Sequence, residues 1–237
     1  MVPPKTRLIV VVLAGAVVFA SALLGQRVIS AKAGLLCFVQ GRASVEGGAL
    51  STGEHFRQLK NGESLATERG RAEVLLNPGT FLRVGDMSRV HMDDIKLTDA
   101  CVSLDSGSAV VTVNYILKTD RLRLIAGGSV IVMKQPGVYR LDASTGRLRV
   151  FNGKAEVRRD GGSAYVIVKR GQVVDLTGLK LAKFDIKDTD ALQRWAAARS
   201  RAPFPRGLRP VPPKISWDKT DAPPASSAGK SNSSGQF

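Results

Sequence analysis

NGKAEVRR, residues 152–159, is written twice more in other words, as QGRASVEG at 40–47 and RGRAEVLL at 69–76. The shared core is Gly, a polar residue, a small apolar residue, a polar residue and Val. In an extended chain successive side chains point to opposite faces, so Ala155 and Val157 share one face and Lys154, Glu156 and Arg158 the other. The leading glycine supplies a tight turn. The phrase therefore predicts a turn followed by a half-buried strand with its charged residues in solvent. It recurs as GSAVV at 107–111, GSVIV at 128–132 and, more loosely, GQVVD at 171–175. The intervals run from 18 to 37 residues, too uneven for a strict repeat protein.

Working outward, RLRLI at 121–125, VYRLD at 138–142, RLRVF at 147–151 and AYVIVKR at 164–170 alternate in the same way. Turn signals separate them: NPG at 77–79, QPG at 135–137, STG at 144–146 and DGG at 160–162. Asn152-Gly153, two residues between alternating runs, predicts a β-hairpin. The fold class that follows is all-β, many short strands in a solenoid-like stack or a sandwich. One helix closes the folded part. Asp188 or Asp190 can cap it, and Leu192, Trp195, Ala196 and Arg199 fall on one face, with Trp195 packing it against the sheet.

The ends divide the chain into 1–33, 34–200 and 201–237. Lys5 and Arg7 precede LIVVVLAGAVVFASALL at 8–24, an uncharged apolar run. It is long for a signal peptide and short for a membrane span. Ala31-Lys32-Ala33 offers a cleavage site, so a cleaved signal and an uncleaved single-span anchor both remain open. Either exports everything after residue 25. The last segment, with APFPRGLRPVPP, DAPPASSAGK and SNSSGQF, is Pro- and Ser-rich and predicts disorder. Net charge is +15, spread as +4, +7 and +4 over the three parts. That balance suits anionic partners, and export disfavours nucleic acid among them.

Chemistry-bearing sets are sparse. His55 and His91 are the only histidines, and no Cys-x-x-Cys or His-x-x-x-His spacing makes a zinc site. Asp93-Asp94 are strand neighbours or turn residues and cannot jointly do acid–base work on opposite faces. The acidic residues Asp185 and Asp188 to Asp190 read as helix capping. Gly127-Gly128 and Asn77-Pro78-Gly79 lack the following helix and Lys of a phosphate loop. No enzyme, cofactor or metal is expected. Cys37 and Cys101 could pair in an oxidising compartment or stand as separate buried thiols. If the strands carrying Arg121, Arg123, Arg147 and Arg149 are neighbours, the four guanidiniums line one ridge able to hold carboxylates or phosphates. Otherwise they are a solvated face.

In order along the chain stand AKAGLLCFVQGRASVEG at 31–47, NGESLATERGRAEVLLNPGTFLRVGDMSRVHM at 61–92, VSLDSGSAVVTV at 102–113, KQPGVYRLD at 134–142, RVFNGKAEV at 149–157, KRGQVVDL at 169–176 and DTDALQRWAAARS at 188–200. Together they resemble FecR-domain proteins, in particular solitary envelope proteins carrying that domain. The resemblance implies an all-β domain in the bacterial envelope, periplasmic, inner-membrane anchored or secreted. It implies no catalytic residues. Family members pass signals from outer-membrane transporters to a cytoplasmic anti-sigma segment, and the seven residues before the apolar run are too few for that segment. The expected function is thus a non-enzymatic envelope module for protein interaction or signalling. The alternative is a structural or adhesive protein holding acidic envelope polymer through basic strand faces.

Overall fold

Among the described residues, alternation and turn chemistry together produce sixteen strands and one helix. The computed structural model describes residues 33–52 and 57–201. The apolar run 8–24, His55 and the Pro/Ser-rich tail beyond Arg201 lie outside the described residues. No helix among the described residues is long and apolar enough to cross a membrane. The strands are β1 (Leu35–Val45), β2 (Gly48–Leu50), β3 (Arg57–Gln58), β4 (Ser64–Asn77), β5 (Thr80–Val84), β6 (Arg89–Ile95), β7 (Asp99–Ser106) and β8 (Ser108–Val113). They continue as β9 (Arg121–Ala126), β10 (Ser129–Met133), β11 (Gly137–Asp142), β12 (Arg147–Asn152), β13 (Lys154–Arg159), β14 (Tyr165–Lys169), β15 (Gln172–Asp175) and β16 (Leu181–Lys183), followed by helix α1 (Ala191–Arg201).

All sixteen belong to one sheet, ordered β14-β13-β10-β9-β7-β6-β4-β5-β8-β11-β12-β15-β16, with β1 along β4 and with β2 and β3 on β1. β4 divides this path. Its first residues, Ser64–Ala66, pair with β6, and its last, Ala72–Asn77, pair with β5. One half of the sheet thus holds β6, β7, β9, β10, β13 and β14, and the other β5, β8, β11, β12, β15 and β16. The chain visits them in turn, so that β7 and β9 come to lie side by side in parallel after a passage through β8 in the other half. That is the coiling of a solenoid-like stack, and the all-β expectation holds. Val102, Leu124, Ile131 and Val157 of the first half share one apolar cluster with Leu82, Val111, Leu141 and Val150 of the second. The halves therefore face each other across a single core. Near the open seam the Leu176 carbonyl accepts from Ser129 Oγ at 2.6 Å and Arg159 Nη1 at 3.1 Å, tying the chain after β15 to β10 and β13.

At Gly107, Gly153 and Gly171 the recurring glycine phrase marks where the chain changes halves, whereas Gly128 turns β9 into its antiparallel partner β10 within the first half. Asn152-Gly153 is not the hairpin its sequence suggests: β12 pairs with β11 and β15, whereas β13 pairs with β10 and β14. It is a corner. Gly153 has φ 93°, and a Cβ there would stand 2.3 Å from the Tyr139 hydroxyl. That hydroxyl accepts from Lys154 N at 3.1 Å and donates to the Gln135 carbonyl. Corner and core are thereby fastened at one phenol. Gly41 and Gly70 lie opposite each other where β1 and β4 bend between the halves. A Cβ on either would reach within 2.2–2.5 Å of a facing backbone oxygen.

Helix α1 starts as expected: Asp190 Oδ1 accepts from Gln193 N at 2.7 Å, an N-cap bond. The helix lies across the outward face of the second half, placing Leu192 and Ala196 on Val110, with Val138 and Trp195 beside them. At its first turn Asp190 pairs with Arg140 at 2.7 Å, and at its last Arg199 reaches Glu73 at 2.7 Å. Glu73 also accepts from Arg83 at 2.8 Å, where both side chains are 1% exposed, and Arg83 Nη1 donates to Thr112 Oγ1 at 2.8 Å. The solvent-facing position expected of this phrase is here the most buried charge pair in the sheet, because the helix covers it.

Two expected outcomes follow for urea unfolding. Gly153→Ala loses about 2–4 kcal/mol from strain plus collision, against about 1 for Gly161→Ala, whose Cβ would meet nothing within 4 Å. Glu73→Ala, which strands the Arg83 charge in the interior, costs about 3–5 kcal/mol, and Arg199→Ala costs less because its own charge is lost with it.

Candidate functional site

The first half of the sheet has an outward face of its own. In β9, β10 and β13, Leu122, Leu124, Ile131, Met133, Ala155 and Val157 point into the core, so their neighbours point out. Register aligns these neighbours into rows. Tyr165, Arg158, Val130, Ile125, Ser103 and His91 lie side by side from β14 to β6. Ile167, Glu156, Val132, Arg123 and Cys101 make the next row. Lys154 and Lys169 face each other beyond it.

Five of the outward positions on β9, β10 and β14 are thus apolar: Ile125, Val130, Val132, Tyr165 and Ile167. Tyr165 is 59% exposed, Ile125, Val132 and Ile167 are half-buried, and Val130 is covered by its neighbours. No described helix lies over them. Charges hold the flanks in pairs: Lys134 with Glu156 at 3.0 Å and Arg123 with Asp99 at 2.9 Å. Arg158, Lys154 and Lys169 are left to give this end a basic rim. A half-exposed β-branched and aromatic surface with a charged rim is the form of a docking face.

The residues singled out from sequence are distributed differently from expectation. Arg121 and Arg123 sit on β9 in the first half, Arg147 and Arg149 on β12 in the second, and the two strands are not neighbours. No four-arginine ridge forms. Arg123 is engaged by Asp99, and Arg147 stands in register between Asp142 and Asp175. Cys37 and Cys101 are free and buried, on β1 and on β7, with β4 and β6 between those strands. No disulfide joins them.

Asp93 and Asp94 both turn outward, since a bulge between Met92 and Asp94 shifts the alternation. They serve different partners. Asp93 accepts from Ser103 Oγ at 2.8 Å, and Asp94 from Lys96 Nζ at 2.8 Å and Asn61 Nδ2 at 3.2 Å. The lysine hydrogen bond holds the Asp94 carboxyl below its ordinary value. Ser64 Oγ is 3.2 Å from His91 Nδ1, but His91 Nε2 stands 4.0 Å from Asp93, beyond hydrogen-bond range. The three do not form a relay. Among the described residues no group of three acidic, His or Cys side chains could hold a metal ion.

The sequence reading missed the apolar outward face, although SVIVM at 129–133 and YVIVK at 165–169 carry its signal. Runs with β-branched residues at consecutive positions are apolar on both faces, which alternation alone cannot produce.

No family model and no curated protein sequence matches the chain. Among solved structures, two crystal structures of a candidate anti-sigma factor from Parabacteroides distasonis ATCC 8503 are similar to it. One, at 2.50 Å resolution, has TM-score 0.42 and 14% identity over 52% of this chain and 59% of that one. The other, at 1.65 Å, has TM-score 0.43 and 14% identity over 57% and 64%. The chain thus spans less than two thirds of either.

Cys37, on β1 and away from this face, gives the fold a pH signature. Burial, reinforced by the nearby Glu73 charge, pushes its thiol from 9.0 up to about 11. Below pH 9 the thiol is protonated folded or unfolded. Above it the unfolded chain loses the proton first, so stability falls as pH rises from 9 to 11. The urea midpoint should drop over that window by the equivalent of about 2 kcal/mol, and the drop should shrink in Cys37→Ala.

Proposed function

We propose that residues 33–201 form a non-enzymatic, FecR-type interaction module on the exported side of a bacterial envelope. It docks a partner protein on the outward face of β9, β10, β13 and β14. One observation carries this reading. Both halves of the sheet present apolar outward faces, but the chain covers one with its own helix and leaves Ile125, Val132, Tyr165 and Ile167 half-exposed on the other. Leaving that surface in water costs about 25 cal/mol per Å², a cost removed when a partner covers it. Export is supported by Lys5 and Arg7 ahead of the apolar run 8–24. A regulatory role of the kind the FecR resemblance implies fits a module whose output is the binding event itself.

The test is site-specific photocrosslinking in intact cells, with Ile167→p-benzoylphenylalanine in the full chain. A discrete protein adduct is expected, lost when Val132→Glu is added while urea stability changes by less than about 1 kcal/mol, as for surface substitutions. An adduct that survives Val132→Glu, or that forms equally from a benzophenone on β16, sinks the reading.

A further inference from the structure

β14, at one end of the strand order, pairs with β13 along one edge, and no described strand pairs with the other. Which backbone groups face that open edge follows from β13. The Lys154 carbonyl accepts from Lys134 N at 2.9 Å, and Asp160 N donates to the Gly128 carbonyl at 3.0 Å, both on the β10 side. Backbone groups alternate in direction along an antiparallel strand, so Ala155 and Val157 bond toward β14, to Val168 and Val166 opposite them. Tyr165 and Ile167 therefore aim their N–H and C=O groups away from the sheet. Lys169 N points the same way and is capped by Gln172 Oε1 at 2.8 Å. The core is open here too. Along the inward row Ile131 and Val157 are fully buried, whereas Val166, the last, is only half-buried.

We propose that the partner of the docking face adds a strand to β14, an extended segment that is apolar at successive positions and acidic where it passes Lys169. The inference rests on the docking reading above and specifies how the partner is held. Main-chain bonds to Tyr165 and Ile167 align the segment, and its inward side chains cover Val166. Three features support it. β14 has no proline and pairs with β13 without a bulge, and its one charged residue, Lys169, stands at its end, so little protects the edge. Outward Tyr165 and Ile167 belong to the apolar face already described, so edge and face form one continuous surface. Charge selects the occupant. Lys154 and Arg158 on β13, with Lys169 and Arg170 at the end of β14, make no ion pair among the described residues. A second copy would bring the same four cations to the edge, whereas an acidic segment neutralises them.

The probe is the synthetic peptide Glu-Val-Ile-Val-Glu, capped at both ends, whose two acids set one beside Lys169 in either strand direction. Amide hydrogen exchange is read residue by residue in the full chain, held in mild detergent. Without peptide, Val166 and Val168 should exchange slowly and Ile167 fast. Slow exchange at Ile167 in the protein alone overturns the proposal, because the chain itself or a second copy would already pair the edge. With peptide at about ten times its Kd, exchange at Ile167 should slow about tenfold, since only the unbound fraction exchanges. The counterpart Lys-Val-Ile-Val-Lys should bind roughly tenfold more weakly at low salt. Ile167→Pro removes an N–H that faces away from β13, so it should abolish peptide binding with an unchanged circular dichroism spectrum, and Ile167→Val should keep binding. No binding at millimolar peptide, binding that protects no edge amide, or binding that survives Ile167→Pro overturns strand addition and leaves docking on the face standing. The peptide assay makes no use of Val132, so failure of the face reading shows separately, in the crosslink.

Discussion

The Glu73 carboxylate is the point on which the two ends of the fold depend. It accepts from Arg83, one strand away, and from Arg199, 126 residues later in the chain. Two guanidiniums on one buried carboxylate leave a net positive charge, and burial pulls the Arg83 guanidinium below its ordinary value while Glu73 pushes it back. Such a cluster contributes little net stability, since desolvation offsets most of the attraction. Its effect is specificity. Arg83 cannot be buried on β5 without Glu73, and Glu73 stays shielded only when α1 is seated. The helix is thus a required part of the domain, and the sheet's second half is complete only after residue 199 has been made.

The same physics explains how far the sequence could be read. Glu73 and Glu156 occupy the same place in the same phrase, GRAEV and GKAEV. Alternation puts both on the outward side, and both are there. Glu156 meets solvent and Lys134, whereas Glu73 meets a helix, and only the helix distinguishes them. Strand positions, the inward set and the Asp190 cap follow from local rules and were legible. The covering of one outward face is a tertiary event with no local signature.

Strand pairing was hidden for a related reason. Asn152-Gly153 satisfies every local requirement of a two-residue hairpin, and the chain does bend at Gly153. Pairing of the flanking strands is a separate matter, decided by which partners are already in place. β11 is held to β8 and β12 to β11, and β10 waits on the other side for β13. The glycine then serves a close approach to the Tyr139 hydroxyl instead of a hairpin. The arginine ridge failed on the same point. Arg121-x-Arg123 and Arg147-x-Arg149 are alike in sequence, yet the chain crosses from one half to the other between β10 and β11 and sends one pair to each.

A sheet coiled between two halves has two outward faces, and each must be polar, covered or used. β8 and β11 take the second course: their outward Val110 and Val138 are apolar because α1 lies over them. β9, β10 and β14 carry side chains of the same kind at outward positions, at Ile125, Val132 and Ile167, with only charged flanks for company. The structure has no need of those β-branched residues for its core, which Leu124, Ile131 and Val157 already fill from the other side. Thr or Lys at the outward sites would satisfy the strand geometry as well and stay in water at lower cost. Apolar chemistry at positions the described residues leave half-exposed is what the proposed docking would cover, as α1 covers Val110 on the other half.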